Sequence, residues 1–498
     1  MVMSKFLDRF DKPEDMLLKE PFTRGGTVIG ALDGILVEAG TMVAATPPTR
    51  MLKQISQATY LKELDPSMHD INFDENVPKI VAKVGDGFME VKYIRMALAY
   101  QAKIVEKQTQ YLCGKKMRFT LCNHKPKESE KDLFINLKEK WLNRNMDIRK
   151  WEVVYKQKSV GDSAWIFYFD DDKKINSKTV SYMDNYTLLP HRDRYGKLDF
   201  FAMYFMKDGQ ETIEAYDKVN RYVIVKTTGN EYRLIEVTAH GFDRLPVVYK
   251  RGQVAWENAQ SIIETTEIIY NIYTVIMKRH GWGLLYIRGK LDPKITKTAG
   301  AIILNDPNPD SNGTAEFKSP PSPDGMENLI ADLRKQIQWQ TSTLFLHPDD
   351  IKMSSEPSGI AIKLLLNTAL EKASTDARDY DEVADEACQL FKYGLGIEEG
   401  KITEYNSLNI RAEFDVWMPQ SETEIVNNIV QLKSAKAISN ETAAEISPLS
   451  AADETARIST DKVIEEARED EIANKVGVSL TKVKTKGAPK NNTEINND

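Results

Sequence analysis

The sequence predicts an α+β protein in which long amphipathic helices and runs of antiparallel strands occupy separate parts of the chain. Three observations lead to this class. Apolar residues recur at steps of three and four over three long segments, 252–279, 326–345 and 358–393. Short alternating segments separated by Gly, Asp and Asn occupy 161–250 and indicate antiparallel hairpins. A compact group of strand-like segments lies between the first two long helices.

The N-terminal part is predicted to be mixed, with several shorter helices. Residues 46–50 contain two prolines and precede a helix expected from Met51 to about Leu64. A second helix is expected from Glu90 and ends at Gly114, which occupies a C-cap position. Residues 131–160 predict another helix or a pair of helices.

The first long helix is expected from Gly252 to Arg279. Its apolar face consists of Ala255, Ala259, Ile262, Thr266, Ile269, Tyr273 and Ile276. A different, acidic face carries Glu257, Gln260, Glu264, Glu267 and Asn271. Taken alone, such faces favour ordinary packing in a core over a stalk that carries the insert at its tip.

The second long helix, from Met326 to Phe345, follows the same rule. Its apolar face is formed by Met326, Ile330, Leu333, Ile337, Gln340 and Leu344. Between the two helices, the segments LLYIRG, AIILND and AEFKSP predict three short strands separated by turn formers.

Basic residues are concentrated at the start of this insert. Between residues 278 and 297 a single acid, Asp292, accompanies the basic residues Lys278, Arg279, Arg288, Lys290, Lys294 and Lys297. These charges would keep a tip solvated, or they would contact DNA phosphates or an acidic partner surface.

A polar segment, His347–Ser358, separates the second long helix from the third. Pro348 and Pro357 interrupt regular structure, so an exposed loop is expected. Its ionisable residues are His347, Asp349, Asp350, Lys352 and Glu356. With His347 neutral, three carboxylates against one lysine make the loop acidic.

The C-terminal part begins where the third helix ends. Gly394, Gly396 and Gly400 are expected to end the regular structure, and LNIRAEFDVWMPQ predicts a returning strand. The capping box SETE at 421–424 opens a further helix. Beyond Asn474 the apolar periodicity is lost, and we expect disorder.

Composition limits the possible functions. The chain has 498 residues and a net charge of −7, which argues against a general nucleic-acid coat but not against a wall that DNA passes.

Three scattered cysteines predict buried thiols: Cys113, Cys122 and Cys388. No signal peptide is recognisable, and the longest apolar stretch, 25–45, contains Asp33 and Glu38, so a buried segment is favoured over a membrane span.

A search for catalytic chemistry finds little. The sequence has no phosphate-binding loop, no dinucleotide fingerprint and no zinc motif, so no cofactor and no metal are expected. Asp170, Asp171 and Asp172 could hold a metal in a nuclease, but DDDKK lies where two strands would turn. A solvated turn is the favoured interpretation, and no catalytic residue is assigned.

The order of these segments resembles the portal proteins of tailed bacteriophages, in particular those of siphovirus type. The stretch SSEPSGIAIKLLLNTALEKA is similar to that family's junction between tunnel loop and long helix. The turn at Leu112, Cys113 and Gly114 is similar to the end of an early wing helix, and ISNETAAE resembles part of the crown. The resemblance is one of order and pattern across nearly the whole chain.

This resemblance implies a portal fold with named parts. The stem would be 252–279 and 326–346, the clip 280–325, and the tunnel loop 347–358. The wing would comprise 1–251 together with the long helix and returning strand of 359–420. A helical crown, 421–473, and a disordered tail, 474–498, would follow.

The resemblance also implies a function without catalysis. About twelve copies would form a ring at one capsid vertex, through which double-stranded DNA enters and leaves. The implied partners are the large subunit of the terminase motor, a head-completion or adaptor protein, and the major capsid and scaffolding proteins. The protein would be located in the virion, and in the host cytoplasm during assembly. The alternatives are a metal-dependent nuclease using Asp170–Asp172 and another head-to-tail structural protein.

Overall fold

The computed structural model describes most of the chain between residues 53 and 438. The described ranges are 22–24, 53–73, 80–84, 87–91, 95–123, 126–227, 232–280, 284–288, 302–306, 314–318, 324–345, 366–417 and 422–438, together with 443 and 447. The chain divides into two compact units, 1–354 with 364–418, and 355–363 with 419–498. The predicted tunnel loop 347–358, most of the predicted crown and the predicted tail lie outside the described residues.

The helices of the first unit are distributed along its whole length. They are α1 (Gln57–Leu64), α2 (Tyr100–Cys113), α3 (Glu128–Asn143), α4 (Met146–Val160), α5 (Gln260–His280), α6 (Asp324–Thr341), α7 (Asn367–Glu398) and α8 (Ile402–Ser407). In the second unit α9 spans Glu422–Ser434. It begins one residue after Ser421, the first residue of the predicted capping box. Among the described residues, no helix is long and apolar enough to cross a membrane.

The strands before residue 181 form small sheets. They are β1 (Phe22–Arg24), β2 (Lys53–Ile55), β3 (Ile80–Val84), β4 (Gly87–Val91), β5 (Arg118–Leu121), β6 (Asp162–Phe169) and β7 (Ile175–Val180). β1 pairs with β2 and β3 with β4, both antiparallel. β6 is the central strand of a sheet ordered β13-β6-β7, in which β13 is Val247–Arg251.

Five strands between residues 187 and 239 form an antiparallel meander, as the alternation predicts. They are β8 (Thr187–Arg192), β9 (Leu198–Lys207), β10 (Gln210–Tyr216), β11 (Asn220–Lys226) and β12 (Tyr232–Ala239). The order β12-β11-β10-β9-β8 leaves β12 and β8 at the edges. One face of this sheet packs on the β6 sheet, and the buried residues between them include Ala164, Ile166, Phe201, Met203 and Tyr216.

The insert between α5 and α6 contains the three predicted strands. They are β14 (Leu284–Arg288), β15 (Ile302–Asp306) and β16 (Thr314–Lys318), in the order β15-β14-β16. β14 pairs antiparallel with β16 but parallel with β15. A parallel neighbour requires a long crossover, which residues 289–301 are long enough to provide.

Two of the N-terminal helix predictions are wrong at their starts. The segment expected to be helical from Met51 contains β2, and α1 begins only after Ser56, whose hydroxyl accepts a hydrogen bond from the Thr59 N–H. The helix expected from Glu90 begins at Tyr100, because β4 continues to Val91. Pairing with β3 therefore overrides the helical pattern of this segment.

Glycine is used in the helices for close packing. Gly114 ends α2 as predicted, but in a right-handed conformation, and a Cβ there would lie 2.8 Å from Cβ of Trp417. The expectation that Gly394 and Gly396 end the long helix is wrong, since α7 continues to Glu398. A Cβ on Gly394 would lie 2.0 Å from Cδ1 of Ile175, so this glycine lets the strand pack directly on the helix backbone.

The large apolar core lies where α7 crosses the sheets. Trp141 of α3 packs edge-to-face on Trp165 of β6 and on Phe391 of α7. β17 (Ile410–Glu413) is the predicted returning strand, and it pairs antiparallel with β5. The pairing of β17 with β5 joins the segment after α7 to the N-terminal half of the chain.

Candidate functional site

The candidate site is the base of the α5–α6 pair, where both helices meet the N-terminal part of the chain. The Tyr273 hydroxyl of α5 donates a hydrogen bond to Glu327 in the first turn of α6. Ile263, near the start of α5, shares an apolar cluster with Ile337, near the end of α6. The two helices therefore run antiparallel, with the three-stranded insert between them in the chain.

Helix α6 buries most of the side that its periodicity predicts, whereas Gln340 of that side is exposed. Ile337 is buried, and Met326, Ile330 and Leu333 are half-buried. The opposite side exposes Trp339, an unusual position for an indole ring in a soluble helix. Within a single chain, α6 is therefore covered on one side only.

Helix α5 buries a more polar side than its apolar periodicity predicts. Its buried residues include Gln260, Ile263, Thr266, Glu267, Asn271 and Val275. The predicted apolar residues Ile262, Ile269 and Tyr273 are only half-buried. The side of α5 that meets the rest of its own chain is thus rotated toward the polar residues, because those residues bind the neighbouring backbone.

The predicted acidic face of α5 is not one continuous surface in the described chain. Glu264 is exposed, whereas Glu257 and Glu267 are each about 5% exposed. Glu257 lies before α5 begins, so it does not continue the helical row. Of the three carboxylates, Glu264 is the one whose side chain reaches solvent from α5.

Glu267 holds a buried histidine against α5. The Nδ1 of His69 is 2.7 Å from Oε1 of Glu267, and its Nε2 is 2.7 Å from the carbonyl oxygen of Glu63. Both partners offer acceptor oxygens, which favours the imidazolium form of His69, in which both ring nitrogens donate. Burial opposes this charge, but the hydrogen bond and the charge of Glu267 raise the pKa of His69 above its ordinary value.

The same row of α5 binds the non-helical segment before α2. The Leu98 N–H donates to Oε1 of Glu267 at 2.7 Å. One turn later, Oδ1 of Asn271 accepts from the Met96 N–H and its Nδ2 donates to the Met96 carbonyl. These bonds satisfy the backbone of a segment that has no helix or sheet partner there. They also attach it firmly to the helical pair.

A second buried polar network joins the end of α6 to Asp376, in the third turn of α7. Gln108 of α2 donates to the Thr341 carbonyl at 2.8 Å and accepts a hydrogen bond from Lys158 of α4 at 3.1 Å. Nζ of Lys158 then donates to Oδ2 of Asp376 at 2.6 Å. Burial lowers the pKa of Lys158, and the charge of Asp376 opposes that effect. The network, Thr341–Gln108–Lys158–Asp376, connects the helices on either side of segment 346–365.

The predicted tip and loop residues fall mainly where the structure gives no description. Lys290, Lys294 and Lys297, and the loop residues His347, Asp349, Asp350, Lys352 and Glu356, lie outside the described residues. Lys278 and Arg279 are in the last turn of α5, and Arg288 ends β14. For these three the backbone alone is described, so the basic patch stays a prediction.

The acidic run at Asp170 has the geometry of a turn. Oδ1 of Asp170 accepts the Lys174 N–H, and Asp172 forms an ion pair with Lys174 at 3.1 Å. Lys173 has a positive φ of 59°, typical of a tight turn between two strands. Across the part of the chain that the structure describes, no cluster of His, Cys, Asp and Glu could hold a metal ion.

Sequence reasoning missed both buried networks. His69 and Glu267 are 198 positions apart, and Lys158 and Asp376 are 218 positions apart. A charged residue in an amphipathic helix is usually exposed to solvent, so the sequence offered no reason to expect it to be buried. One available signal was the interruption of apolar residues by Glu267 and Asn271 on a helix expected to be well packed.

Comparison with known proteins identifies a matching family. Residues 89–474 match the family described as "Phage portal protein, SPP1 Gp6-like". Nothing among curated proteins matches the chain. Among solved structures, the chain is similar to a protein chain in the neck of an empty gene transfer agent (GTA) particle, a structure that was computed with C6 symmetry. That similarity has 11% identity, covers 68% of this chain and 87% of that chain, and has a TM-score of 0.37. A second, from the virion of a native gene transfer agent particle, has 10% identity, 78% and 91% coverage, and a TM-score of 0.36.

The family match extends over most of the chain and includes α2, the meander, the helical pair with its insert, and α7. Proteins of this family are structural, non-enzymatic components of the virion and assemble as homo-oligomeric rings in the capsid. With residues 89–474 matched out of 498, the chain belongs to the SPP1 Gp6-like family of phage portal proteins.

Proposed function

We propose that about twelve copies of this chain form the channel at one capsid vertex through which double-stranded DNA is packaged and later released. The observation that carries the proposal is the antiparallel pair α5–α6 with a three-stranded insert, within the region that matches the portal family. Such a pair gives each subunit a rod of about 30 Å, long enough to line a channel when copies are arranged in a ring. A ring of identical subunits closes through head-to-tail contacts.

Different parts of the subunit would contact different partners. The insert, β14 to β16 with its basic residues, would dock the large subunit of the terminase motor during packaging and a head-completion or adaptor protein afterwards. ATP hydrolysis would come from the motor. Contacts with the major capsid and scaffolding proteins would form around the ring, in the host cytoplasm, as the capsid assembles.

We place the acidic loop residues and Glu264 toward the DNA. Neutralising phosphates with lysine adds affinity for DNA at every step and would slow its movement. A ring of carboxylates instead repels the phosphate backbone and keeps the duplex centred, while Lys352 makes brief contacts. Glu257 and Glu267 have a different role, since they are buried within the subunit.

The test replaces the loop carboxylates with lysine. The double variant Asp349→Lys/Asp350→Lys should assemble normally but package DNA more slowly, by about tenfold, because the loop would then grip phosphates. The matched control is Asp171→Lys/Asp172→Lys, which makes the same charge change at an exposed turn between β6 and β7. Packaging is measured as nuclease-protected DNA per particle over time.

The salt dependence of this measurement identifies the cause. A stall caused by phosphate binding should be relieved as salt concentration rises, since released counterions drive that binding. Normal packaging by the loop variant at all salt concentrations would mean that the loop does not face DNA. Equal slowing by the control would attribute the effect to net charge and not to the loop.

A further inference from the structure

The hairpin formed by β3 and β4, called the arm, is anchored to α5 on both of its sides. Before it in the chain, Nδ1 of His69 is 2.7 Å from Oε1 of Glu267. After it, the Leu98 N–H donates to the same oxygen at 2.7 Å. Nη1 of Arg95 donates to the Asn72 carbonyl oxygen at 2.5 Å, so the segments that lead into and out of the arm also meet each other. One carboxylate of α5 therefore fixes both sides of the arm.

The register of the arm gives it two different faces. Residues directly opposite each other in an antiparallel pair share a face, and successive residues of a strand alternate between faces. One face holds Val81 opposite Glu90 and Lys83 opposite Phe88. The other, called the apolar face, holds only apolar residues and glycine: Ile80, Ala82, Val84, Gly87, Met89 and Val91.

A hairpin of this kind requires a surface that covers it. A two-stranded sheet alone is marginally stable in water, and three strands or packing on a helix are usually needed. Among the described strands, β3 and β4 pair only with each other. The apolar face is therefore expected to pack against a surface of similar chemistry.

Helix α4 carries such a surface, called the aromatic ridge. Ile148 and Trp151 are 54% and 38% exposed and lie one turn apart. Tyr155, a further turn along, is half-buried and stacks on Trp151 with 4.8 Å between the ring centroids. Large apolar side chains that follow one another along an exposed helix side are typical of a contact with another protein surface.

The charges beside the ridge do not select a charged ligand. Arg149 and Glu152 lie on the same helix and form an ion pair at 2.9 Å. Nucleic acid binds mainly through cations that remain available for its phosphates. A ridge whose neighbouring charges compensate each other is instead suited to an uncharged, apolar surface.

We propose that, in the ring, the apolar face of the arm of one subunit docks on the aromatic ridge of α4 in the next subunit. A ring closed by head-to-tail contacts needs two different, complementary surfaces on every copy. The arm and the ridge provide such a pair, and a second copy is the occupant that homo-oligomeric assembly supplies. This inference rests on the ring of the proposed function, but not on the passage of DNA through it.

Cysteine pairs test the contact in full-length protein. Cys122→Ser removes the exposed thiol, and the two other cysteines are buried. In this background, Met89→Cys with Ile148→Cys should give a ladder of covalent multimers on a non-reducing denaturing gel after mild oxidation. The matched control combines Met89→Cys with Ile135→Cys, on α3, because Ile135 is also 54% exposed. The control should give no ladder.

Two lysine substitutions test which face of the arm is used. Met89→Lys places a charge on the apolar face and should raise the protein concentration needed for half-maximal ring assembly about tenfold. Val81→Lys makes the same change on the other face, opposite Glu90, and should leave assembly unchanged. Native mass spectrometry measures assembly, and urea unfolding should show equal subunit stability for both variants.

Other outcomes would overturn the proposal. A disulfide between the two introduced cysteines that stays within one chain would mean that the arm covers the ridge of its own subunit. Rings without the cross-link, or equal effects of the two lysine substitutions, would exclude the contact. A monomeric unmodified protein would refute the ring as well. Cross-linked rings that fail to package DNA would instead support the contact and contradict only the channel function.

Discussion

At the scale of single residues, the base of α5 depends on a buried charge. His69 is held between the Glu63 carbonyl and the Glu267 carboxylate, and its side chain is 4% exposed. A histidine in this setting binds its proton more tightly in the folded state than in the unfolded chain. The attachment of residues 57–73 to α5 therefore depends on pH.

The sign of this dependence is testable. Because the folded pKa of His69 is raised above 6.5, its contribution is complete below about pH 6.5 and is lost as pH rises through the folded pKa. Each unit of raised pKa corresponds to about 1.4 kcal/mol. Urea unfolding between pH 5.5 and 8.5 should show this alkaline loss, and His69→Gln should remove it.

His240 provides a control of opposite sign. Its Nε2 donates to the Asp217 carbonyl and its Nδ1 accepts from the Phe242 N–H, so it is neutral in the fold. Burial lowers the pKa of His240. Its protonation in the unfolded chain therefore costs stability as pH falls below about 6.5. His240→Gln should reduce the acid loss and leave the alkaline loss unchanged. Identical pH profiles for the two variants would contradict both assignments.

At the scale of helices, buried polar residues decide how α6 and α7 are connected. The Gln108 and Lys158 side chains span from the Thr341 carbonyl at the end of α6 to Asp376 in α7. Asp376 also accepts from Lys372, one turn earlier, at 2.6 Å. Removing one member of such a buried pair leaves an uncompensated charge, whereas removing both members often does not destabilise the fold.

Comparing the single and double variants distinguishes a role of the ion pair in folding stability from a role in positioning α7 relative to α6. Asp376→Leu alone should destabilise the protein by about 3 kcal/mol, because it leaves the buried Lys158 without a counter-charge, and the double variant Lys158→Met/Asp376→Leu should recover most of that loss. If the ion pair also sets the position of α7 relative to α6, the double variant should still package DNA poorly. Urea unfolding and nuclease-protected DNA are measured on the same preparations. Full recovery of packaging would restrict the pair to a role in folding.

At the scale of the whole molecule, one chain leaves surfaces that a ring would cover. Helix α6 exposes Trp339 and Leu329, and α5 leaves Ile262 and Ile269 only half-buried. The strand-rich insert between these helices forms its own sheet, with no described strand from elsewhere in the chain. Ring contacts and the insert are therefore expected to be separable.

The expected separation can be measured by replacing residues 281–323 with a short Gly-Ser linker. Native mass spectrometry should find a ring of about twelve subunits for both forms, because the linker variant keeps α5 and α6, which we expect to make the ring contacts. The linker variant should package no DNA, because the proposed docking site of the motor is removed. A compact monomer in the unmodified protein, or undiminished packaging by the linker variant, would refute this division of roles.

Local pattern alone determined much of this architecture. The spacing of apolar residues predicted α6 and its buried side, and alternation predicted the meander β8–β12. The three strands of the insert followed from turn formers between apolar segments. The order of these elements was enough to indicate the portal family, which the match over residues 89–474 confirms. These features depend on neighbours within a few residues, so the sequence contains them directly.

Tertiary structure decided which faces meet and which polar groups are buried. Glu267 and Asn271 resemble solvated helix residues until the backbone of Met96 and Leu98 supplies their partners. Gly394 resembles a helix end until Ile175 packs against its backbone. Periodicity reports which residues share a face, but hydrogen bonds over more than 160 positions depend on how the chain returns on itself. For that reason only the tertiary structure shows the polar contacts at the base of the α5–α6 pair.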